Sequence, residues 1–248
     1  MLYISLYGRI TDCMKDVLRR SVAEMIGTYI FVLFGPGSIV AFMAAFGAAL
    51  SPSTLFFAAV TFGLGIAIAI IMIANISGGH VNPAVTIGLF VSGKFEGRMV
   101  LPYIVSQLIG AVLASGTVGV LFSYGVANKV LFGATVPGSM GPWAAFLGEF
   151  IMTFFFLWVI LTITSKSKNT AVNAAVIGTY VTIMIFMLAT ISGGSINPAR
   201  SFGPAVLSGI LLKAGYYQWI YWVAPILGGA LGALAWKYMY KDRSKVHM

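Results

Sequence analysis

Long apolar runs, separated by short polar clusters, dominate the chain. They fall at 21–44, 54–74, 99–124, 142–164, 171–190 and 218–240. Each is close to the ~20 residues that a helix rising ~1.5 Å per residue needs to cross ~30 Å of hydrocarbon. The pattern predicts six transmembrane helices. The first run is too long for a secretory signal and lacks a small-residue cleavage ending.

Composition agrees with that reading. The 248 residues are 59% hydrophobic and 8% charged, with mean hydropathy +0.96, whereas soluble domains carry ~25% charged residues. The single Cys13 excludes a disulfide within the chain. A net charge of +9 raises the question of a nucleic-acid partner, and the distribution of the charge answers it. Arg9, Lys15, Arg19 and Arg20 precede the first run, and Lys94 and Arg98 follow the second. Lys166 and Lys168 join the fourth to the fifth, and Lys237, Lys241, Arg243 and Lys245 close the chain. If six spans alternate, all of these share one side, and only Lys129, Arg200 and Lys213 lie elsewhere. That is a positive-inside bias, so both termini (tails 1–19 and 241–248) are expected in the cytoplasm of a cell-membrane protein. The charge encodes topology, and no nucleic acid is expected.

One phrase occurs twice. ISGGHVNPA at Ile76–Ala84 returns as ISGGSINPA at Ile191–Ala199, identical at seven of nine positions and 115 residues apart. Each copy sits between the second and third run of its half. Because each half holds an odd number of spans, the second enters from the opposite face, an inverted repeat of the kind that places functional sites near the midplane. The expected organisation is a single channel domain over 1–248, with halves at about 20–124 and 142–240 and a polar joint near Ser165–Thr170.

Asn is a strong helix N-cap, and Pro suits the first helical position because its missing N–H is not needed there. Asn82-Pro83-Ala84 and Asn197-Pro198-Ala199 therefore each start a helix. The apolar stretch behind the first is about ten residues, or ~15 Å, half a bilayer. Two such half-helices entering from opposite faces would meet with their N-termini opposed, each carrying roughly +0.5 charge, a place hostile to cations. Extended backbone at Ser77–Val81 and Ser192–Ile196 would expose carbonyls, which is tolerated at membrane depth when it is protein-buried or lines an aqueous path. The expected fold is all-α: six transmembrane helices and two re-entrant half-helices in an inverted repeat. Carbonyl acceptors leading to two Asn amide donors suit a neutral, hydrogen-bonding solute.

Over essentially its whole length the chain resembles the aquaporin and glycerol-facilitator family. The resemblance is carried by AEMIGTYIFVLFG (23–35), SGGHVNPAVTIG (77–88), PYIVSQLIGA (102–111), GEFIMTFFF (148–156) and SGGSINPARSFGPAV (192–206). It implies a passive channel for water and small uncharged solutes such as glycerol, excluding protons and ions, in a homotetramer with one pore per subunit. No enzymatic activity, cofactor or metal is implied. It also implies a selectivity filter of Phe62, Ile185, Gly194 and Arg200, with Arg200 donating to solute and repelling cations. This filter lacks both the His of strictly water-selective members and the second aromatic of glycerol-type members. Ile185 and Gly194 are expected to supply apolar wall and space, hence a wider gate.

Glu24 and Glu149 occupy matching places in the two halves, and they read as supports for loop N–H groups rather than as proton relays. Gln107 reads as a loop tether. His80 has no partner ligands for a metal, since the other His is His247. A strictly water-selective channel is the nearest alternative. A proton-coupled secondary transporter would share the inverted repeat but would need a titrating group on the path, and Arg200 is permanently charged. An intramembrane hydrolase would need a Ser195–His80 pair, a scheme in which the doubled capping phrase has no role.

Overall fold

The computed structural model describes residues 2–47, 51–213 and 216–240, with side chains from residue 13 onward. Lys241, Arg243, Lys245, His247 and the expected 241–248 tail lie outside the described residues. Among the described residues, six helices are long and apolar enough to span a membrane: α1 (Leu2–Phe46), α2 (Pro52–Ser77), α4 (Gly97–Phe122), α6 (Pro142–Lys166), α7 (Thr170–Leu188) and α9 (Ile220–Tyr240). Two short helices, α3 (Pro83–Val91) and α8 (Pro198–Leu207), follow the repeated phrases, and a single turn, α5 (Tyr124–Lys129), follows α4.

α1 begins far earlier than the apolar run near residue 21. The added turns carry charge partners at helical spacing: Asp16 to Arg19 at 3.0 Å and to Arg20 at 3.6 Å. Arg20 also reaches across to Tyr103 Oη at 3.1 Å. Polar i,i+3 and i,i+4 pairs sustain helix where hydrophobicity ends. Elsewhere local chemistry sets the boundaries. Ser51 and Thr54 form a reciprocal capping box at the start of α2, Pro142 opens α6, and Asn169 caps α7.

The halves interlock. α1 packs on α2 and α4, and α6 packs on α7 and α9, while α3 lies against α9 and α8 against α4. Each half-helix is therefore gripped by the last helix of the other half. The close approach depends on glycine. A β-carbon on Gly110 would strike the Met25 carbonyl oxygen, and one on Gly228 would strike that of Phe150. Met25 and Phe150 follow Glu24 and Glu149 directly, so these crossings also fix the two buried acids in place.

Candidate functional site

Asn82 and Asn197 are extended N-caps. Asn82 Oδ1 accepts from the Ala84 N–H at 2.8 Å, and Asn197 Oδ1 accepts from those of Ala199 and Arg200 at 3.0 and 3.3 Å. Pro83 and Pro198 stand at the first helical turn. The amide nitrogens then cross between halves. Asn82 Nδ2 donates to Ile196 O at 2.7 Å, and Asn197 Nδ2 donates to Val81 O at 2.9 Å. A primary amide has two hydrogens, so each Asn keeps one for another acceptor.

The segments before the caps are not simply extended. Gly78, Gly79, Gly193 and Gly194 have positive φ, and so do Val81 (φ 55) and Ile196 (φ 47). For β-branched residues this conformation costs on the order of 1–3 kcal/mol each and persists only where the surroundings impose it. Two buried carboxyl groups impose it. Glu24, fully buried, accepts from the N–H groups of His80 (2.9 Å) and Val81 (2.7 Å) and from Ser77 Oγ (2.7 Å). Glu149, fully buried too, accepts from the N–H groups of Ser195 (2.8 Å) and Ile196 (2.5 Å) and from Ser192 Oγ (2.6 Å). Gln107 Nε2 donates to Glu24 at 2.8 Å and to Thr86 Oγ1 at 3.1 Å. His80 Nδ1 lies 3.1 Å from the same hydroxyl, and its ring packs on Phe95 and Tyr103.

Two tyrosines complete this scaffold, and the sequence reading missed them. Tyr103 Oη donates to Ser77 O at 2.8 Å, and Tyr221 Oη donates to Ser192 O at 2.7 Å. A signal was available: each lies four residues before the matched positions Gln107 and Pro225. Ser195 and His80 are not paired; Ser195 Oγ contacts Asn197 O and Ser201 Oγ instead.

A cavity of about 320 Å³ runs from Lys94 and Trp236 at its mouth to Asn82, Asn197 and Ile196 at its inner end, with His80 on its wall. Phe31, Ile66, Phe156 and Val181 make much of that wall apolar. None of Phe62, Ile185, Gly194 or Arg200 lines it.

Those four residues form a packed cluster of their own. Arg200 is 1% exposed. Its Nε donates to Gly194 O at 3.1 Å, Nη1 to Gly133 O at 2.7 Å and Nη2 to Gly193 O at 3.5 Å. Its Cζ lies 4.7 Å from the centroid of the Phe62 ring. α2 brings the Phe62 ring beneath the guanidinium, and a cation–π contact results. A β-carbon on Gly194 would lie 2.9 Å from Ile185 Cδ1, so the Ile185 side chain takes up the room beside that glycine.

The Gly133 carbonyl belongs to the segment between α5 and α6, which the sequence pattern did not single out. That segment is fastened by Thr135, whose Oγ1 donates to Ser201 Oγ at 2.7 Å. Ser201 in turn lies 2.6 Å from Ser195 Oγ, so buried hydroxyls link the Gly133 loop to the second Asn cap. Tyr216 Oη adds a bond to Thr135 O at 3.2 Å.

The sequence model described as major intrinsic protein matches residues 13–236. Probable aquaporin TIP2-2 of Oryza sativa subsp. japonica is 38% identical over 239 residues, covering 94% of this chain and 92% of the relative. Aquaporin AqpM of Methanothermobacter marburgensis is 36% identical, covering 92% and 100%. Glycerol uptake facilitator protein-like 6 of Lactiplantibacillus plantarum is 33% identical, covering 90% and 98%. Among solved structures, the aquaglyceroporin from Plasmodium falciparum shares the fold, with a TM-score of 0.79 at 24% identity over 92% of this chain and 97% of that one. The doubled Asn-Pro-Ala caps, the six spans and this agreement along the whole chain have one reading: the chain belongs to the major intrinsic protein family and is a multi-pass membrane channel for passive flow of water and small solutes.

Proposed function

We propose that the channel passes water together with small linear polyols such as glycerol, and that it excludes protons and ions. The observation that carries this is the cluster at Phe62, Ile185, Gly194 and Arg200. A guanidinium with donors directed at carbonyls lies against an aromatic face, and Ile185 supplies hydrocarbon beside it. A polyol has a matching division into C–H and O–H sides. Each hydroxyl that enters without a replacement partner loses roughly 1–3 kcal/mol of hydration, so a two-sided gate lowers that cost for such solutes. The likeness to a relative named a glycerol uptake facilitator supports the same reading.

In this reading Asn82 and Asn197 present their remaining amide hydrogens to solute where the N-termini of α3 and α8 meet. The positive ends of both helices and Arg200 oppose cations. Glu24, Glu149, His80 and Gln107 hold the capping segments and do no acid–base chemistry. The protein works as a channel without a catalytic step or cofactor, as one domain, in a homotetramer of the cell membrane with both termini cytoplasmic. A strictly water-selective channel is the second reading, favoured by the way Ile185 fills the room beside Gly194.

Stopped-flow light scattering on proteoliposomes tests the proposal. Swelling in inward glycerol gradients at rates well above empty liposomes is expected, with no proton current. Exclusion of glycerol alongside rapid water flow would establish the second reading. Solute flux driven by a proton gradient would indicate a coupled transporter instead.

A further inference from the structure

We propose that the cavity between Lys94 and the paired Asn caps binds an amphiphilic organic anion, a carboxylate on a medium-length alkyl chain, which blocks flow from the charged mouth. The cavity follows α3. Asn82, Val85 and Leu89 line it at successive turns, and Lys94 stands just past the end of that nine-residue helix, which is about 14 Å long. Between these polar ends Ile70, Phe156 and Ile160 add to the hydrocarbon wall. Water in single file needs only a narrow polar track. A volume of about 320 Å³ with a largely apolar wall falls instead within the ~300–1,000 Å³ of pockets that enclose organic ligands.

The mouth selects the charge. Among the described residues that line the cavity none is Asp, Glu or Arg, and Lys94 is the one lysine. The polar donors beside it are already engaged: Thr164 donates to Ile160 O, Ser165 to Thr162 O, Thr170 to Asn75 Oδ1 and Asn173 to Ser167 O. The Lys94 ammonium has three N–H donors and lies 5.9 Å from the centroid of the Trp236 ring, a distance that leaves its hydrogens for another acceptor. That ring is a fixed platform, since its Nε1 donates to Thr162 Oγ1 at 3.1 Å and its face stacks on Tyr240. Lys237 brings a second positive charge close by, its Nζ lying 3.6 Å from where a β-carbon on Gly93 would stand. The negative groups nearest in sequence are matched. Glu96 is paired with Arg98 at 2.7 Å and lies 3.6 Å from Arg20, and the carbonyls that end α3 accept from the N–H groups of Ser92, Gly93 and Lys94. A carboxylate therefore pairs with Lys94 while its chain lies along the apolar wall. Its charge goes no further, because the hydrocarbon section would strip its hydration; the anion is held and not conducted.

The test is stopped-flow water flux through proteoliposomes of the full chain with hexanesulfonate on both sides, a probe that stays ionised and so does not cross the bilayer as a neutral acid. Inhibition is scored against empty liposomes and against each variant's own flux without probe. Wild type is expected to be inhibited at millimolar concentration, and potency should rise about threefold to fourfold per methylene from butanesulfonate to hexanesulfonate. Methanesulfonate, the charge without the chain, and hexylammonium, the chain with the opposite charge, should leave flux unchanged. Lys94→Gln should raise the half-inhibitory concentration at least about tenfold, as expected for losing a hydrogen bond between charged groups, and Lys94→Arg should restore it. Lys168→Gln, an exposed lysine outside the cavity lining, should be inhibited as wild type is. Full flux in hexanesulfonate, equal inhibition of Lys94→Gln, or equal inhibition by methanesulfonate or hexylammonium would each overturn the proposal. None of these readouts involves glycerol, so a channel that excludes polyols leaves the proposal standing, and a failed block leaves the solute reading standing.

Discussion

Gly63 of α2 packs on Gly178 of α7, its own equivalent 115 residues later, so closely that a β-carbon on either would come within 2.5 Å of the other's carbonyl oxygen. A residue that touches its own repeat partner marks the pseudo-two-fold axis between the halves. On the same axis Asn82 and Asn197 exchange bonds with the carbonyls of Ile196 and Val81. The crossing of α2 and α7 therefore sets how the two half-helix N-termini meet.

Gly63→Ala is accordingly expected to lower stability by about 1–3 kcal/mol, the usual cost of overpacking. The obstruction at Gly63 includes Gly178 backbone, which cannot rotate away as a side chain could. A fall in Tm of the detergent-solubilised protein, measured with Gly116→Ala as control, checks this. Gly116 has nothing within 4 Å of where its β-carbon would go.

Glu149→Gln is expected to be more damaging than its small change in shape suggests. Oε1 serves Ser192 and Ser195, and Oε2 serves the Ile196 N–H. A glutamine turned to keep the first pair would point its NH2 at the Ile196 N–H. That residue holds a left-handed backbone and supplies the carbonyl that receives Asn82. Losing one bond to a charged group costs about 1.5–3 kcal/mol, so thermal unfolding should move down and water flux should fall. Tyr221→Phe, which frees one carbonyl, should cost about 1 kcal/mol. Equal effects from the two variants would contradict the assignment of Glu149 as the main support.

The frame was legible in the amino-acid pattern because it rests on local chemistry. Apolar length set the spans, and the doubled Asn-Pro-Ala caps set the start of α3 and α8 to the residue. What was not legible depends on distant side chains meeting. Nothing near Thr135 or Gly133 has a period or a motif, yet these positions fasten Arg200 through the segment between α5 and α6. The stacking of Phe62 on Arg200 depends on the rotation of α2 relative to α8, which the order of residues in either helix does not express. Helix through 13–20 was hidden because charge pairs, not hydrophobicity, sustain it.

Thr135→Val tests whether that fastening matters for selectivity. Valine keeps the volume and removes the hydroxyl that reaches Ser201. The Gly133 carbonyl should then hold Arg200 Nη1 less firmly, and the ratio of glycerol to water permeability should change by several-fold while Tm moves little. Thr135→Ser, which retains the donor, should restore the wild-type ratio. A purely structural role would shift Tm and leave the ratio unchanged.

Mercurial reagents should leave water flux intact. The lone thiol, Cys13, is exposed on α1, receives a hydrogen bond from Arg98 Nη1 at 2.8 Å and does not line the cavity. Inhibition that persists in Cys13→Ser would show that the reagent acts other than through a thiol of this chain.

Ile185→His bears most directly on the solute. Ile185 is 3% exposed, and its Cδ1 occupies the room beside Gly194, whose carbonyl receives Arg200 Nε. An imidazole there would exchange hydrocarbon for a hydrogen-bonding group next to the guanidinium. Water gains a partner from that exchange, whereas a polyol loses the apolar surface that its C–H side would rest on and must desolvate against two polar walls. Glycerol flux in proteoliposomes should therefore drop by at least tenfold, which corresponds to about 1.4 kcal/mol, while water flux changes less. Ile185→Val, which preserves the apolar wall and shortens it, should raise glycerol flux instead. If wild type already excludes glycerol as completely as Ile185→His, the hydrocarbon at Ile185 is closing the gate to polyols, and the channel is selective for water.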